Sequence, residues 1–252
     1  MQILISIDGP IARISFNRPE LRNALSRDMW KALGPTIAAV IDRGARVIIF
    51  SGEGGSFAAG ADINELGAVN DMADAEDFAQ AIADGIEAIA QARATTIAMI
   101  DGPCMGGGCL IAAACDLRYA TQASIFAVPV ARLGIVLDQT NILRLTSLLG
   151  PTWVKELLYT GATIDSITAQ HIGLIIDYFD TPEELFDHAI ERAETIAANS
   201  IESILGAKAT INSLYNLDRE LPAAQRGPTA KEVAASYFSA DLKARLAKIL
   251  QS

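Results

Sequence analysis

Two glycine-rich turns carry the residues best suited to chemistry. Gly52-Glu53-Gly54-Gly55-Ser56-Phe57-Ala58-Ala59-Gly60-Ala61-Asp62 and Asp101-Gly102-Pro103-Cys104-Met105-Gly106-Gly107-Gly108 each follow an apolar, strand-like run and lead into an apolar helical stretch. The first N–H groups of a helix have no partner within it and stand at the positive end of its dipole. Two such loops brought together would offer paired backbone donors to an oxygen on which negative charge develops. The pattern points to carbonyl chemistry.

Other chemistries find less support. There is no G-x-S-x-G elbow to supply a serine nucleophile, and His171 and His188 fall in helical segments remote from both turns. No Walker G-K-[ST] sequence occurs, and the Gly52 to Phe57 run lacks the final glycine of a dinucleotide fingerprint. Cys104, Cys109 and Cys115 are not at a structural zinc spacing, so they read as small packing residues, and no metal is expected.

The elements that must position the turns follow from periodicity. Residues 2–7 and 11–16 read as a hairpin turning at Asp8-Gly9-Pro10. A helix is expected from Ser26 to about Arg43, with Trp30, Leu33, Ile37, Val40 and Ile41 on one face; Gly34-Pro35 is the discordant note within it. A strand at 47–50, a helix at 75–93 and a strand at 96–100 repeat the theme. Short strands at 117–120 and 124–127 precede helices at 139–149 and 152–160. From Pro182 onward only helices are expected, at 182–198, 201–217 and 229–250, with more apolar surface than one small domain would bury, so packing on another subunit is expected. Gly67 to Asp77, acidic and alanine-rich beside the first turn, reads as a candidate active-site flap, and Glu220 to Thr229 as the other weakly ordered stretch.

Composition bounds the partners. The chain has 252 residues, 51% of them hydrophobic, which is ample for a substantial core. Twenty Lys and Arg against thirty Asp and Glu leave a net charge of −10, which repels nucleic acid and anionic membranes. The N-terminus lacks a basic leader, and no apolar run reaches the ~18 residues that span a bilayer, so a cytoplasmic protein is expected.

Five motifs recur in order. They are Asn17-Arg18-Pro19-Glu20-Leu21-Arg22-Asn23-Ala24-Leu25, then Phe57 to Ile63, then Asp101-Gly102 with Gly106-Gly107-Gly108-Cys109, then Cys115-Asp116-Leu117-Arg118-Tyr119-Ala120, and Thr160-Gly161 with Gly173-Leu174. In these the chain resembles the crotonase, or enoyl-CoA hydratase/isomerase, superfamily. The resemblance implies an α/β fold: a crotonase (ClpP-like) spiral of repeated ββα units over 1–198 holding an acyl-CoA site, and a C-terminal helical trimerisation region over 199–252. It implies a homotrimer or a dimer of trimers, an acyl-CoA thioester as substrate, and no cofactor beyond the coenzyme A moiety.

The resemblance also assigns roles. The oxyanion-binding N–H groups fall on Ala61 and Gly107. Coenzyme A would lie along Arg22, Ala24, Ala59, Ala61, Asp62 and Ile63, with Arg22 as the phosphate partner. Asn64 stands where many relatives carry a cation. Hydratases of the family have two glutamates, and here those positions are Leu110 and Val130, so two-glutamate hydration has lost both its acid/base groups. Leu110, Val130 and Arg132 are expected around the acyl group.

Asp138, eight positions beyond Val130, matches where dienoyl-CoA isomerase relatives place an acid/base aspartate and where 4-chlorobenzoyl-CoA dehalogenase relatives place a nucleophilic one. It could shuttle a proton, attack the acyl group, or cap the helix beginning at Gln139. The leading expectation is a double-bond isomerase or related lyase of fatty-acid or aromatic-acid metabolism. The alternatives are a dehalogenase-like or hydrolase-like enzyme and a catalytically silent acyl-CoA-binding protein. A substitute carboxylate, Glu65 or one on 67–77, would restore hydration.

Overall fold

A computed structural model describes residues 1–213 and 227–250. The chain begins with β1 (Ile3–Asp8) and β2 (Ile11–Phe16), the expected hairpin, with Asp8 opposite Ile11. Then come α1 (Arg27–Asp42), β3 (Val47–Gly52), α2 (Ile63–Gly67), α3 (Met72–Ala90), β4 (Thr95–Ile100), β5 (Pro103–Met105) and α4 (Gly107–Ala114). The second half holds β6 (Leu117–Thr121), β7 (Ile125–Ala127), α5 (Val130–Leu133), α6 (Gln139–Thr160), β8 (Ile164–Asp165), α7 (Ser166–His171) and β9 (Asp177–Phe179). Among the described residues four helices close the chain: α8 (Pro182–Ala198), α9 (Ile201–Ser213), α10 (Ala230–Tyr237) and α11 (Ala240–Ile249).

The main sheet runs β1-β2-β3-β4-β6-β9 and is parallel except for the β1–β2 hairpin; β5, β7 and β8 form a second sheet. β3 explains how a continuous apolar strand is used. Ile48 and Phe50 point into the larger core with Phe16, Trp30 and Phe57, whereas Val47 and Ile49 face the opposite side beneath Leu185, Ala189 and Ala193 of α8. A parallel sheet covered on both faces has no polar side to show. His188 packs there too, its ring centroid 4.7 Å from that of Tyr119 and 4.6 Å from that of Phe179, far from the glycine turns.

Three helices depart from their expected outlines. α1 continues through Pro35, capped by Ser26, whose hydroxyl accepts from Met29 N at 3.3 Å. The two helices expected at 139–149 and 152–160 share one span, interrupted at Gly150, where φ is 73° just before Pro151. The single helix expected at 229–250 is two, because Ser239 caps a new start by accepting from Leu242 N at 3.0 Å. The ends of the expected 201–217 helix and of the Glu220 to Thr229 stretch lie partly outside the described residues.

The C-terminal helices fold back on their own chain. α10 lies along α3, and α11 along α2 and α5, burying Tyr237, Leu242 and Leu246. Val136 N donates to Ser236 Oγ at 3.0 Å, tying α10 to the lead-in of α6. α9 is anchored by Lys208, whose Nζ donates to Ala94 O at 2.9 Å and to Asp116 Oδ2 at 2.8 Å. Among the described residues no helix is long and apolar enough to cross a membrane.

Candidate active site

The first glycine turn is held from behind by Asn23. This residue is fully buried and left-handed (φ 56°), and its Nδ2 donates to Glu53 O at 2.8 Å and Ser56 O at 2.6 Å. A short parallel bridge then fixes the end of the turn. Leu25 N donates to Gly60 O at 2.7 Å, and Asp62 N donates to Leu25 O at 2.9 Å. In such a bridge the residue between those two groups turns its own N–H the other way, so Ala61 N–H is free to point out of the bridge.

Asp62 completes the brace. Its carboxylate accepts from Asn64 N at 3.0 Å, capping α2, and pairs with Arg18 at 3.0 Å; Arg18 also donates to Ala24 O at 2.8 Å. The pair is largely shielded from water, with side chains 13% and 7% exposed. Asp62 is thus a structural carboxylate beside the expected coenzyme A path.

The second turn is pinned by Gly106 N, which donates to Ala127 O at 2.7 Å, and Gly107 opens α4. The two turns touch. A first side-chain carbon on Gly60 would fall 2.7 Å from Gly107 N, so only glycine allows this approach. Neither Ala61 N–H nor Gly107 N–H donates to a protein group among the described residues. Two unused backbone donors, one of them at a helix N-terminus, therefore sit side by side.

One turn along α4, Leu110 forms part of the wall of a cavity of about 430 Å³. Ile82 of α3, Leu137 and Asp138 before α6, and Val233 and Tyr237 of α10 complete much of it. Asp138 is both cavity wall and helix cap. Its Oδ1 accepts from Asn141 N at 2.9 Å and its Oδ2 from Asn141 Nδ2 at 2.7 Å. Asn141 Oδ1 in turn accepts from Arg144, which pairs with Glu87.

Not every expected residue reaches this place. Val130 packs against the main core at the start of α5 and is not among the cavity's lining. Arg132 is exposed, donates from Nε to Thr160 O at 3.1 Å, and borders a separate surface cavity with Arg245 and Lys248. Arg22 is exposed and left-handed (φ 50°), and its backbone carbonyl accepts from Ala59 N at 2.9 Å, next to the first turn. Ala24 is buried and Ile63 half-buried beside it.

The carboxylates near the first turn have mostly structural work. Glu65 accepts from Arg27 N at 2.7 Å, closing the N-terminus of α1. The segment expected as a flap is a packed connection: Val69 and Ala75 are buried, Asp71 caps α3, and Asp74 and Asp77 pair with Arg27 and Lys31. Glu76 differs, since it lines the same cavity as Asp138 and makes no ion pair among the described residues. Glu76 lies on the 67–77 segment already expected to offer a substitute carboxylate, whereas Lys231 and Tyr237 escape sequence reading because α3 and α10 meet only through the fold. The three cysteines are free and buried; burial first, then the nearby Asp116 charge, push the Cys115 thiol up to about 12. That thiol is no nucleophile at neutral pH.

Known proteins resemble this chain in sequence and fold. The family model described as enoyl-CoA hydratase/isomerase matches residues 6–241. A Rhizobium meliloti protein described as a probable enoyl-CoA hydratase is 32% identical over 216 residues, covering 85% of this chain and 82% of that one. The peroxisomal Delta(3,5)-Delta(2,4)-dienoyl-CoA isomerase of Arabidopsis thaliana is 31% identical over 217 residues, covering 81% and 78%. The crystal structure of an enoyl-CoA hydratase/isomerase family protein from Hyphomonas neptunium superposes with a TM-score of 0.81 at 32% identity, covering 100% of this chain and 95% of that one. With the paired glycine turns and the α/β spiral in place, the chain belongs to the enoyl-CoA hydratase/isomerase family, the crotonases.

Proposed function

We propose that the protein moves a double bond in an acyl-CoA thioester, using Asp138 as the proton carrier. The observation that carries this reading is a carboxylate in the cavity lined by Leu110, which sits one turn along α4 from the unused Gly107 N–H. The thioester oxygen would sit between Ala61 N–H and Gly107 N–H, each donor of this kind contributing about 3 kcal/mol to the charged state. Asp138 takes a proton from the α-carbon of a 3-enoyl thioester, and the electrons move onto the thioester oxygen as a dienolate. The same carboxyl returns the proton at the γ-carbon, giving the 2-enoyl product. The exposed Arg22 faces solvent beside the first turn, where a coenzyme A phosphate could reach it.

Glu76 supports a second reading. It shares the cavity with Asp138 and has no ion-pair partner among the described residues, so the two could stand in for the lost glutamates and hydrate a 2-enoyl thioester. Mass spectrometry of crotonyl, 3-enoyl, dienoyl and aromatic thioesters separates the cases. Isomerisation that falls at least 10²-fold in Asp138→Asn and persists in Glu76→Gln is the expected result. Water addition lost in both variants would replace isomerisation with hydration, and ¹⁸O from solvent found in the Asp138 carboxyl would mark covalent attack. Equal turnover in wild type and Asp138→Asn would remove Asp138 from the mechanism.

The proposal includes a homotrimeric assembly. An apolar groove of about 410 Å³ beside α9, lined by Leu148, Ile196, Ile204 and Ile211, offers surface for a neighbouring subunit, and Ile211 is 50% exposed. Light scattering should return the mass of three chains, or of six for a dimer of trimers; a monomer at micromolar concentration would refute the assembly.

A further inference from the structure

The cavity beside Asp138 is not uniformly apolar. Leu110, Ile82, Leu137 and Val233 supply hydrocarbon, but Tyr237 enters from the last residue of α10. Its ring lies edge-on to Phe78, with centroids 6.1 Å apart and planes at 67°, and the residue is only 8% exposed. A phenol at that depth ordinarily has a hydrogen-bond partner. The Tyr237 hydroxyl has none among the described residues.

The neighbours do not fill that need. Both oxygens of Asp138 are engaged by Asn141. Burial, and then the negative charge of Asp138, push the Tyr237 phenol up, so it keeps its proton at neutral pH and is available as a donor. Gln80, Gln139 and Thr140 add neutral polar groups to the lining, but none of them accepts from the Tyr237 hydroxyl. An acyl group ending in a carboxylate would meet the charges of Asp138 and Glu76 against that of Lys231 alone. An uncharged hydroxyl or carbonyl oxygen would satisfy the phenol without that repulsion, and a volume of about 430 Å³ leaves room for a chain longer than the reacting carbons.

We infer that Tyr237 is a specificity-determining residue whose hydroxyl donates to an oxygen on the distal acyl chain, so that the preferred thioesters carry a hydroxyl or carbonyl beyond the reacting carbons. This rests on the cavity being the acyl site of an acyl-CoA enzyme. Plain hydrocarbon chains bind, but offer the phenol no acceptor.

Calorimetric binding of hexanoyl-CoA, 6-hydroxyhexanoyl-CoA and 5-oxohexanoyl-CoA to wild type and Tyr237→Phe tests it. None of the three carries a double bond to be moved, so affinity is read without turnover. Wild type is expected to bind one or both oxygenated thioesters about tenfold more tightly than hexanoyl-CoA, the size that one hydrogen bond lends. Tyr237→Phe is expected to hold hexanoyl-CoA as wild type does and to lose the preference. A wild type without preference, a variant that retains it, or a variant that weakens all three equally would overturn the inference. Failure of wild type to bind any of the three would instead overturn the acyl-CoA function beneath it.

Discussion

Gly60→Ala should lower turnover of the accepted thioester by about 10²- to 10³-fold, the loss seen when one oxyanion donor is displaced. The added carbon would stand 2.7 Å from Gly107 N and 3.0 Å from Met105 O, both of them backbone atoms that no rotamer change can move. Gly60 also has φ 92°, where an L side chain is strained by roughly 1–3 kcal/mol. Relief requires the two turns to part, which separates Ala61 N–H from Gly107 N–H. The fold around them is held by other bonds, so circular dichroism should match wild type while kcat collapses. Turnover within a few-fold of wild type would mean that this pair of N–H groups does not bind the reacting oxygen.

Arg18→Met should cost about 3–5 kcal/mol of stability, because it leaves the buried Asp62 carboxylate without its cation. In a chain of this length the melting midpoint should fall by roughly 10 °C. The variant should also lose activity, since Arg18 joins Ala24 O to Asp62 on either side of the Leu25–Ala61 bridge that aims the Ala61 N–H. Lys31→Met is the matched control. Its partner Asp77 and its own side chain are 47% and 48% exposed, and such surface pairs contribute about 1 kcal/mol at most. Denaturant unfolding of the two variants side by side gives the comparison, and equal losses would show that burial of the Arg18–Asp62 pair has no special weight.

What could be read from the sequence was what local constraints determine. The two glycine turns were legible because close backbone approach demands glycine at particular positions, and Gly60 shows that demand in its 2.7 Å clearance to Gly107. The β1–β2 hairpin and α8 were legible because their turn and capping residues lie within a few positions of the elements they delimit. The capping role of Asp138 was visible on the same ground. The break at Ser239 was less so, since apolar residues continue on either side of it and the cap competes with helix propagation. The bond from Arg132 to Thr160 O and its place beside a different cavity were not legible, because the orientation of one short helix is not set by distance in sequence from Leu110. Tyr237 was invisible for the opposite reason: the bond from Val136 to Ser236 that brings α10 to the cavity spans 100 positions, and no periodicity reports it.

The fold-back of α10 separates inheritance of chemistry from inheritance of taste. Ala61 and Gly107 are set by loops rooted in the sheets, whereas the outer wall of the cavity beside Asp138 comes from a C-terminal helix tied down by its own contacts with α3. Substitutions at Val233, Ala234 or Tyr237 can reshape the wall without touching the two glycine turns. A lineage carrying this fold can therefore explore new acyl groups through a short stretch of chain while its reactive centre stays fixed, and a library confined to α10 is the natural place to redirect the enzyme by selection.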